Sequence, residues 1–197
     1  MTQRPASGVR QRKRALVHQT LVAAAFRLFR ERGFAAVSVT DVADAAGVSR
    51  RSFFRYFPTK EDVVFAWQDG MTEDMVRVAA GRPAGEPPLV ALRHAVVGVV
   101  SRYKQEEAAE LARFMLETSS LRQHEFEKYD ALERRLATVV AQRMGVEMSQ
   151  DLRPRFYATI AVGAMRVGVD AWSAAGRGGE PAVFVERAFE GLVPFQV

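Results

Sequence analysis

Residues Thr40–Lys60 read TDVADAAGVSRRSFFRYFPTK, and their spacing predicts two short helices around a tight turn. Val39, Val42, Ala43 and Ala46 recur at i, i+3, i+4 and i+7, one face of a helix. Gly47 ends that helix, because glycine accepts the left-handed backbone that a sharp turn demands. Ser49 stands where the next helix needs a side-chain oxygen to cap its first amides. Phe53 and Phe57, four residues apart, anchor the second helix inward and leave Arg50, Arg51, Arg55 and Tyr56 facing out. A small buried brace, a glycine-containing turn and a second helix with a basic, exposed N-terminal half are the parts of a helix-turn-helix that enters a DNA major groove.

Charge supports this reading independently. Residues 1–60 hold 12 of the 28 Lys+Arg but only three of the 23 Asp+Glu, which leaves 16 basic and 20 acidic residues for the remainder. The overall +5 therefore divides into a head of +9 and a body of −4. A basic module of this kind suits a polyphosphate, whose condensed counterions are released on binding.

With 197 residues and 48% hydrophobic content, the chain can bury one or two cores. It has no cysteine, which removes disulfides, thiol catalysis and thiolate metal sites and fits a reducing, cytoplasmic setting. The apolar runs 95–100 and 158–165 are too short to span a membrane, and Leu21–Phe26 leads directly into Arg27, unlike a secretory signal.

The fold class expected is all-α. Residues 1–9 read as a disordered basic arm, 10–58 as the helix-turn-helix domain, and 59–197 as the body. A first helix runs from Arg10 to Arg32, with Val17, Leu21, Ala24 and Leu28 on one face and Gly33 at its end. Pro58-Thr59 breaks the chain before a helix expected from Lys60 to Ala80. Gly81–Pro88 is the clearest linker, since glycine and proline forbid a continuous helix. Helices are expected over about 89–104, 106–119 and 122–144, from near Ser149 to Gly176, and over Ala182–Leu192.

Several short strings stand in fixed order around the opening stretch: Leu28-Phe29-Arg30-Glu31-Arg32-Gly33-Phe34, Ser38-Val39, Asp41-Val42-Ala43, Ala46-Gly47-Val48-Ser49 and Tyr56-Phe57-Pro58-Thr59-Lys60-Glu61. Together they resemble the TetR family of bacterial transcription regulators over roughly the first third of the chain. The resemblance implies a three-helix DNA-binding head and a helical body for ligand binding and dimerisation. It carries DNA contacts onto Ser38 and Thr40 of the bracing helix, onto Arg50, Arg51, Ser52, Arg55 and Tyr56 of the recognition helix, and onto Lys60 as a phosphate contact. Position 51 is Arg where the family often has Gly, and position 54 is Phe where it usually has Tyr. Phe54 thus lacks a hydroxyl for a phosphate and is left to pack on a sugar or a thymine methyl.

The string from Ser49 to Asp62 resembles an actinobacterial subgroup whose body takes acyl-CoA-like ligands. Candidate ligand-binding residues are the aromatics and methionines Trp67, Met71, Met75, Tyr103, Phe114, Met115, Phe126, Tyr129, Met165 and Trp172. Arg102, Arg113 and Arg122 are candidate partners for a ligand acid. Ala158, Ala161, Gly163, Ala164 and Gly168 allow close helix approach, so this segment is a good dimer face or core centre, and the resemblance implies that the last two long helices pair with a second copy of the chain.

The implied partners are palindromic double-stranded operator DNA, a second copy of the chain and a small hydrophobic or amphipathic effector, with no membrane, cofactor or metal. The implied function is a ligand-released repressor. An architectural DNA binder without a ligand and a ligand-dependent activator are the alternatives. His18, His94 and His124 lie far apart in sequence, and the chain carries no nucleophile elbow, phosphate loop or dinucleotide fingerprint, so no enzyme is read here.

Overall fold

Leu21, Ala24, Ala25, Leu28 and Phe29 recur at helical spacing and are all buried along one face of α1 (Ala6–Arg32). Gly33, at φ 80°, ends that helix. Three short helices follow: α2 (Val39–Ala45), α3 (Arg50–Tyr56) and α4 (Lys60–Val64). Their buried residues Val42, Ala43, Phe53, Phe57, Val63, Val64 and Phe65 join those of α1 in the interior of the first unit. The computed structural model describes residues 6–102, 109, 114, 118–176 and 178–192, and the side chains of 6–11 and 67–69 lie outside that description. Helix α1 takes in residues 6–9, part of the segment expected to be an arm.

The chain divides into two compact units, 1–67 and 68–197. The single helix expected from Lys60 to Ala80 is two helices, α4 and α5 (Ala66–Gly81). Phe65 interrupts them with φ −91° and ψ 0°, and its N–H is drawn to the carbonyls of both Glu61 and Val63. Its ring is fully buried, and a backbone in the sparsely allowed bridge region is what accompanies that inward turn.

The second unit contains most of α5 together with α6 (Pro88–Val100), α7 (Ser119–Met144), α8 (Arg153–Ala174) and α9 (Pro181–Glu190). The helix expected over 106–119 falls almost wholly outside the described residues. One apolar core joins Met75 and Ala79 of α5, Leu92, Val96 and Val99 of α6, Leu132, Leu136 and Val140 of α7, Ala158, Val162 and Met165 of α8, and Val185 and Phe189 of α9. Where α8 crosses α9, a Cβ on Gly168 would lie 2.4 Å from Val185 Cα and 2.6 Å from its nitrogen. Only a glycine permits that approach.

Gly81–Pro88, expected to be a linker, joins α5 to α6 and is a loop held inside the second unit. The Arg143 guanidinium donates to the carbonyls of Arg82 and Pro83, each at 2.7 Å, and more loosely to those of Ala79 and Glu86. Glycine and proline do break the helix, but a cation from α7 then gathers the freed carbonyls. All regular structure among the described residues is helical. No helix among them is long and apolar enough to cross a membrane.

Candidate nucleic-acid interface

Local sequence sets the geometry of the site. Ser38 caps α2 through a reciprocal pair: its Oγ accepts from the Asp41 N–H at 3.1 Å, while Asp41 Oδ2 accepts from the Ser38 N–H at 2.7 Å. Hydrogen bonds donated to it by the Ser38 O–H and then by the Ser38 N–H hold the Asp41 carboxyl below its ordinary range. At the other end, Gly47 takes φ 67°, its N–H reaches Asp44 O at 3.0 Å, and Val48 N–H reaches Ala43 O at 2.9 Å. This paired closure is a Schellman motif, and it turns the chain sharply into α3. Ser49 then caps α3 by accepting from the Ser52 N–H at 3.1 Å.

Phe53 is fully buried and Phe57 nearly so, with their ring centroids 5.7 Å apart and the tilted ring of His18 of α1 4.8 Å from that of Phe57. Anchoring by these two rings turns the opposite face of α3 outward. Arg50, Arg51 and Arg55 are exposed, and no carboxylate among the described residues is bonded to them. Arg50 lies 5.5 Å above the ring of Phe54, which is 44% exposed, and Arg55 lies 5.3 Å from the Tyr56 ring. Thr40 is exposed on α2. Ser52 Oγ accepts from Ser49 Oγ at 3.1 Å, which leaves its own O–H to donate outward. The Ser38 O–H is already given to Asp41.

Lys60, expected on a phosphate, makes contacts within the first unit. Its Nζ turns inward and donates to the carbonyls of Phe34 at 2.8 Å and Val37 at 2.9 Å, and it lies 4.1 Å from the Phe34 ring centroid. Partial burial lowers its ammonium below the ordinary lysine range, against the opposing pull of Glu61.

The proposed ligand residues scatter more widely. Met75 and Met165 are buried in the core of the second unit, with Met71 and Tyr129 packed against it. Phe114 is buried. Trp172 is fully buried, and its Nε1 donates to Gly179 O at 3.0 Å, which ties α8 to the loop before α9. Phe126 is 58% exposed. Tyr103 and Met115 lie outside the described residues, as do Arg113 and the side chain of Trp67. Arg102 is exposed, 4.0 Å from Asp74, and Arg122 is exposed on α7.

A polar cluster that sequence reasoning missed lies between α7 and α8. Tyr129 O–H donates to Glu125 Oε1 at 2.9 Å, and Arg166 stacks 4.9 Å from the Phe126 ring and 5.1 Å from that of Tyr129. Burial, aided by the charge of Asp170, raises the Glu125 carboxyl above its usual range, while Tyr129 and Arg166 oppose the shift. Burial likewise pushes the Tyr129 phenol up. The i, i+4 spacing of Glu125 and Tyr129 was the available signal. Among the described residues, no group of three or more His, Asp or Glu is placed to hold a metal ion.

Residues 21–67 match the family model described as bacterial regulatory proteins, tetR family, and residues 86–195 match the MftR C-terminal domain. The HTH-type transcriptional regulator TcmR of Streptomyces glaucescens is 32% identical over 173 residues, covering 84% of this chain and 76% of that relative. This chain belongs to the TetR family. It is a DNA-binding transcription regulator with an N-terminal helix-turn-helix and a C-terminal helical body. Solved TetR-fold structures agree on the fold. The fatty acid degradation regulator FadR from Bacillus halodurans has a TM-score of 0.60 at 19% identity, covering 91% of this chain and 96% of that one. Thermus thermophilus FadR, a transcriptional repressor in complex with lauroyl-CoA, has a TM-score of 0.52 at 23% identity, covering 91% and 95%.

Proposed function

We propose that this regulator is a repressor that binds an inverted-repeat operator as a symmetric homodimer and leaves it when a small hydrophobic or amphipathic effector occupies its body. The observation that carries the reading is the arginine face of α3, exposed and without a bonded carboxylate among the described residues. Arg50 and Arg51, near the helix N-terminus, read base edges, since a guanidinium matches guanine O6 and N7 in a bidentate fork. Arg55, Tyr56, Thr40 and the Ser52 O–H hold phosphates and set the register. Residues 10–58 act as the DNA-binding domain and 59–197 as the effector and dimer domain, in the cytoplasm where the operator lies.

Dimerisation is supported by α8. Phe156, Ile160, Gly163 and Val167 recur at i, i+4, i+7 and i+11, and Phe156 and Val167 are 62% and 63% exposed. On α9, Val183 is 46% exposed. These exposed apolar residues offer a second copy a face on which to form a four-helix interface. One helix-turn-helix covers too few base pairs alone, so two recognition helices should stand about 34–36 Å apart or somewhat wider. An amphipathic effector is supported by the apolar body with Arg166 on its flank, and by the lauroyl-CoA bound to a repressor of this fold.

Selection of bound fragments from the source genome, with sedimentation of the chain free and on DNA, tests the reading. It expects an inverted repeat and a dimer. A monomer at micromolar concentration in both states contradicts it. Long-chain acyl-CoAs should raise the melting temperature and weaken operator binding, and a tenfold weakening requires about 1.4 kcal/mol of preference for the DNA-incompetent state.

A further inference from the structure

Phe54 is 44% exposed on α3, a large apolar side chain set among the outward arginines. Its uncovered ring is area that a partner could remove from water. Phe54 follows Arg50 by four residues, so the two side chains lie one above the other on the helix. The Arg50 guanidinium carbon is 5.5 Å from the Phe54 ring centroid, within reach of cation–π attraction. The same ring meets Phe53 edge-on, with centroids 5.6 Å apart and planes at 84°. Phe53 is fully buried, so Phe54 is braced from the core and in turn steadies Arg50.

The N-terminal half of a recognition helix faces base edges in the major groove. An arginine that forks onto guanine O6 and N7 lies close to the plane of that base pair. A ring set against its guanidinium then faces the neighbouring base pair, one step of about 3.4 Å along the strand. Sugars and phosphates line the groove walls, away from that position. On the groove floor, the apolar group that a base presents is the thymine C5 methyl. Phe54 has no side-chain donor or acceptor for a phosphate, so whatever it contributes at the DNA is apolar.

We infer that Phe54 is a specificity-determining residue: its ring packs on the methyl of a thymine beside the guanine that Arg50 reads, and it holds Arg50 in place for that guanine. The inference rests on the DNA-binding reading above and adds to each half-site a paired preference, guanine next to thymine.

The experiment selects bound duplexes from two random libraries, one made with thymine and one with uracil, which lacks the methyl. Full-length wild type, Phe54→Ala and Phe54→Leu are compared, and affinities are measured on the enriched duplex in both forms. Wild type should enrich guanine beside thymine, and uracil in place of that thymine should weaken binding about fourfold, the worth of one buried methyl. Phe54→Ala should lose at least as much on the thymine duplex, be indifferent to the methyl, and discriminate less sharply at the guanine. Phe54→Leu should still sense the methyl, because it keeps an apolar contact, but should discriminate less at the guanine, because it has no π face. Equal weakening by uracil in wild type and Phe54→Ala overturns the inference. So does a ring that rests on a sugar, which would show as one loss in Phe54→Ala on both forms of the duplex and no loss on uracil in the wild type. Should Phe54→Ala fail to fold, the uracil loss in wild type and the guanine preference of Phe54→Leu carry the test. Enrichment without the guanine–thymine pair sinks this inference alone, whereas no enrichment from either library by the wild type sinks the DNA-binding reading and this inference with it.

Discussion

In the first unit, Arg50, Arg51 and Arg55 stand exposed within one seven-residue helix, with no carboxylate bonded to them among the described residues. In the second, Arg77, Arg82, Arg93, Arg134, Arg135 and Arg153 each meet an Asp or Glu. The Arg135–Glu73 pair is bidentate, at 2.7 and 2.8 Å, and it lowers the Glu73 carboxyl. Exposed ion pairs stabilise little, but they neutralise the surface that carries them. Three like charges on one short helix instead repel one another, and a polyanion relieves that repulsion. The same residue type therefore balances charge locally in one unit and is left available for an outside partner in the other.

The contrast can be sharpened by substitutions that should affect only one side of it. Gly168→Ala should have the largest effect, because its methyl would fall on the Val185 backbone, which cannot move aside as a side chain can. A loss of about 3 kcal/mol is expected in urea unfolding, with weaker dimer association in sedimentation. Arg143→Ala comes next. It removes the charged donor of three loop carbonyls and of the Ala79 carbonyl at the end of α5, and should cost about 2 kcal/mol, read from the same unfolding curves. A recognition-helix arginine should behave in the opposite way, with Arg51→Ala shifting stability by less than about 0.5 kcal/mol. Destabilisation by Arg51→Ala comparable to that of Arg143→Ala would erase the distinction.

The smallest effect concerns pH. Hydrogen bonds from Arg82, and then from His94, hold the Glu86 carboxyl down to about 2, against an ordinary 4.5. Because the folded value is depressed, the stability that Glu86 contributes is fully present above about 4.5 and is lost as pH falls toward about 2. Wild type should therefore exceed Glu86→Gln in stability at about pH 6 and converge with it near pH 2. A difference that grows on acidification would reverse the sign of this account.

Much of the DNA-binding unit was legible because its determinants are local. Ser49, Gly47 and the Phe53/Phe57 spacing each act within a turn or two, and each appears in the structure in that role. The inward contacts of Lys60 were not legible because its partners lie 26 and 23 residues away, and nothing in the local pattern reports a carbonyl in need of a donor. The body shows the same limit. Helical periodicity placed α6 through α9 to within a few residues, yet Arg143 on the 82–87 loop and Arg166 over Phe126 and Tyr129 depend on tertiary approach. The break at Phe65 was hidden for another reason. Neither proline nor glycine marks it, and the signal is a ring drawn into the core.

The most direct test of the central claim is the triple substitution of Arg50, Arg51 and Arg55 by alanine, assayed on the selected operator and on random DNA across a range of salt. The account predicts an unchanged melting temperature. It also predicts loss of the preference for operator over random sequence, about 1–3 kcal/mol for each arginine that reads a base. The salt slope should be shallower by about 0.9 for each arginine that had met a phosphate. A variant that keeps its operator preference and its salt slope would show that this face of α3 does not read DNA.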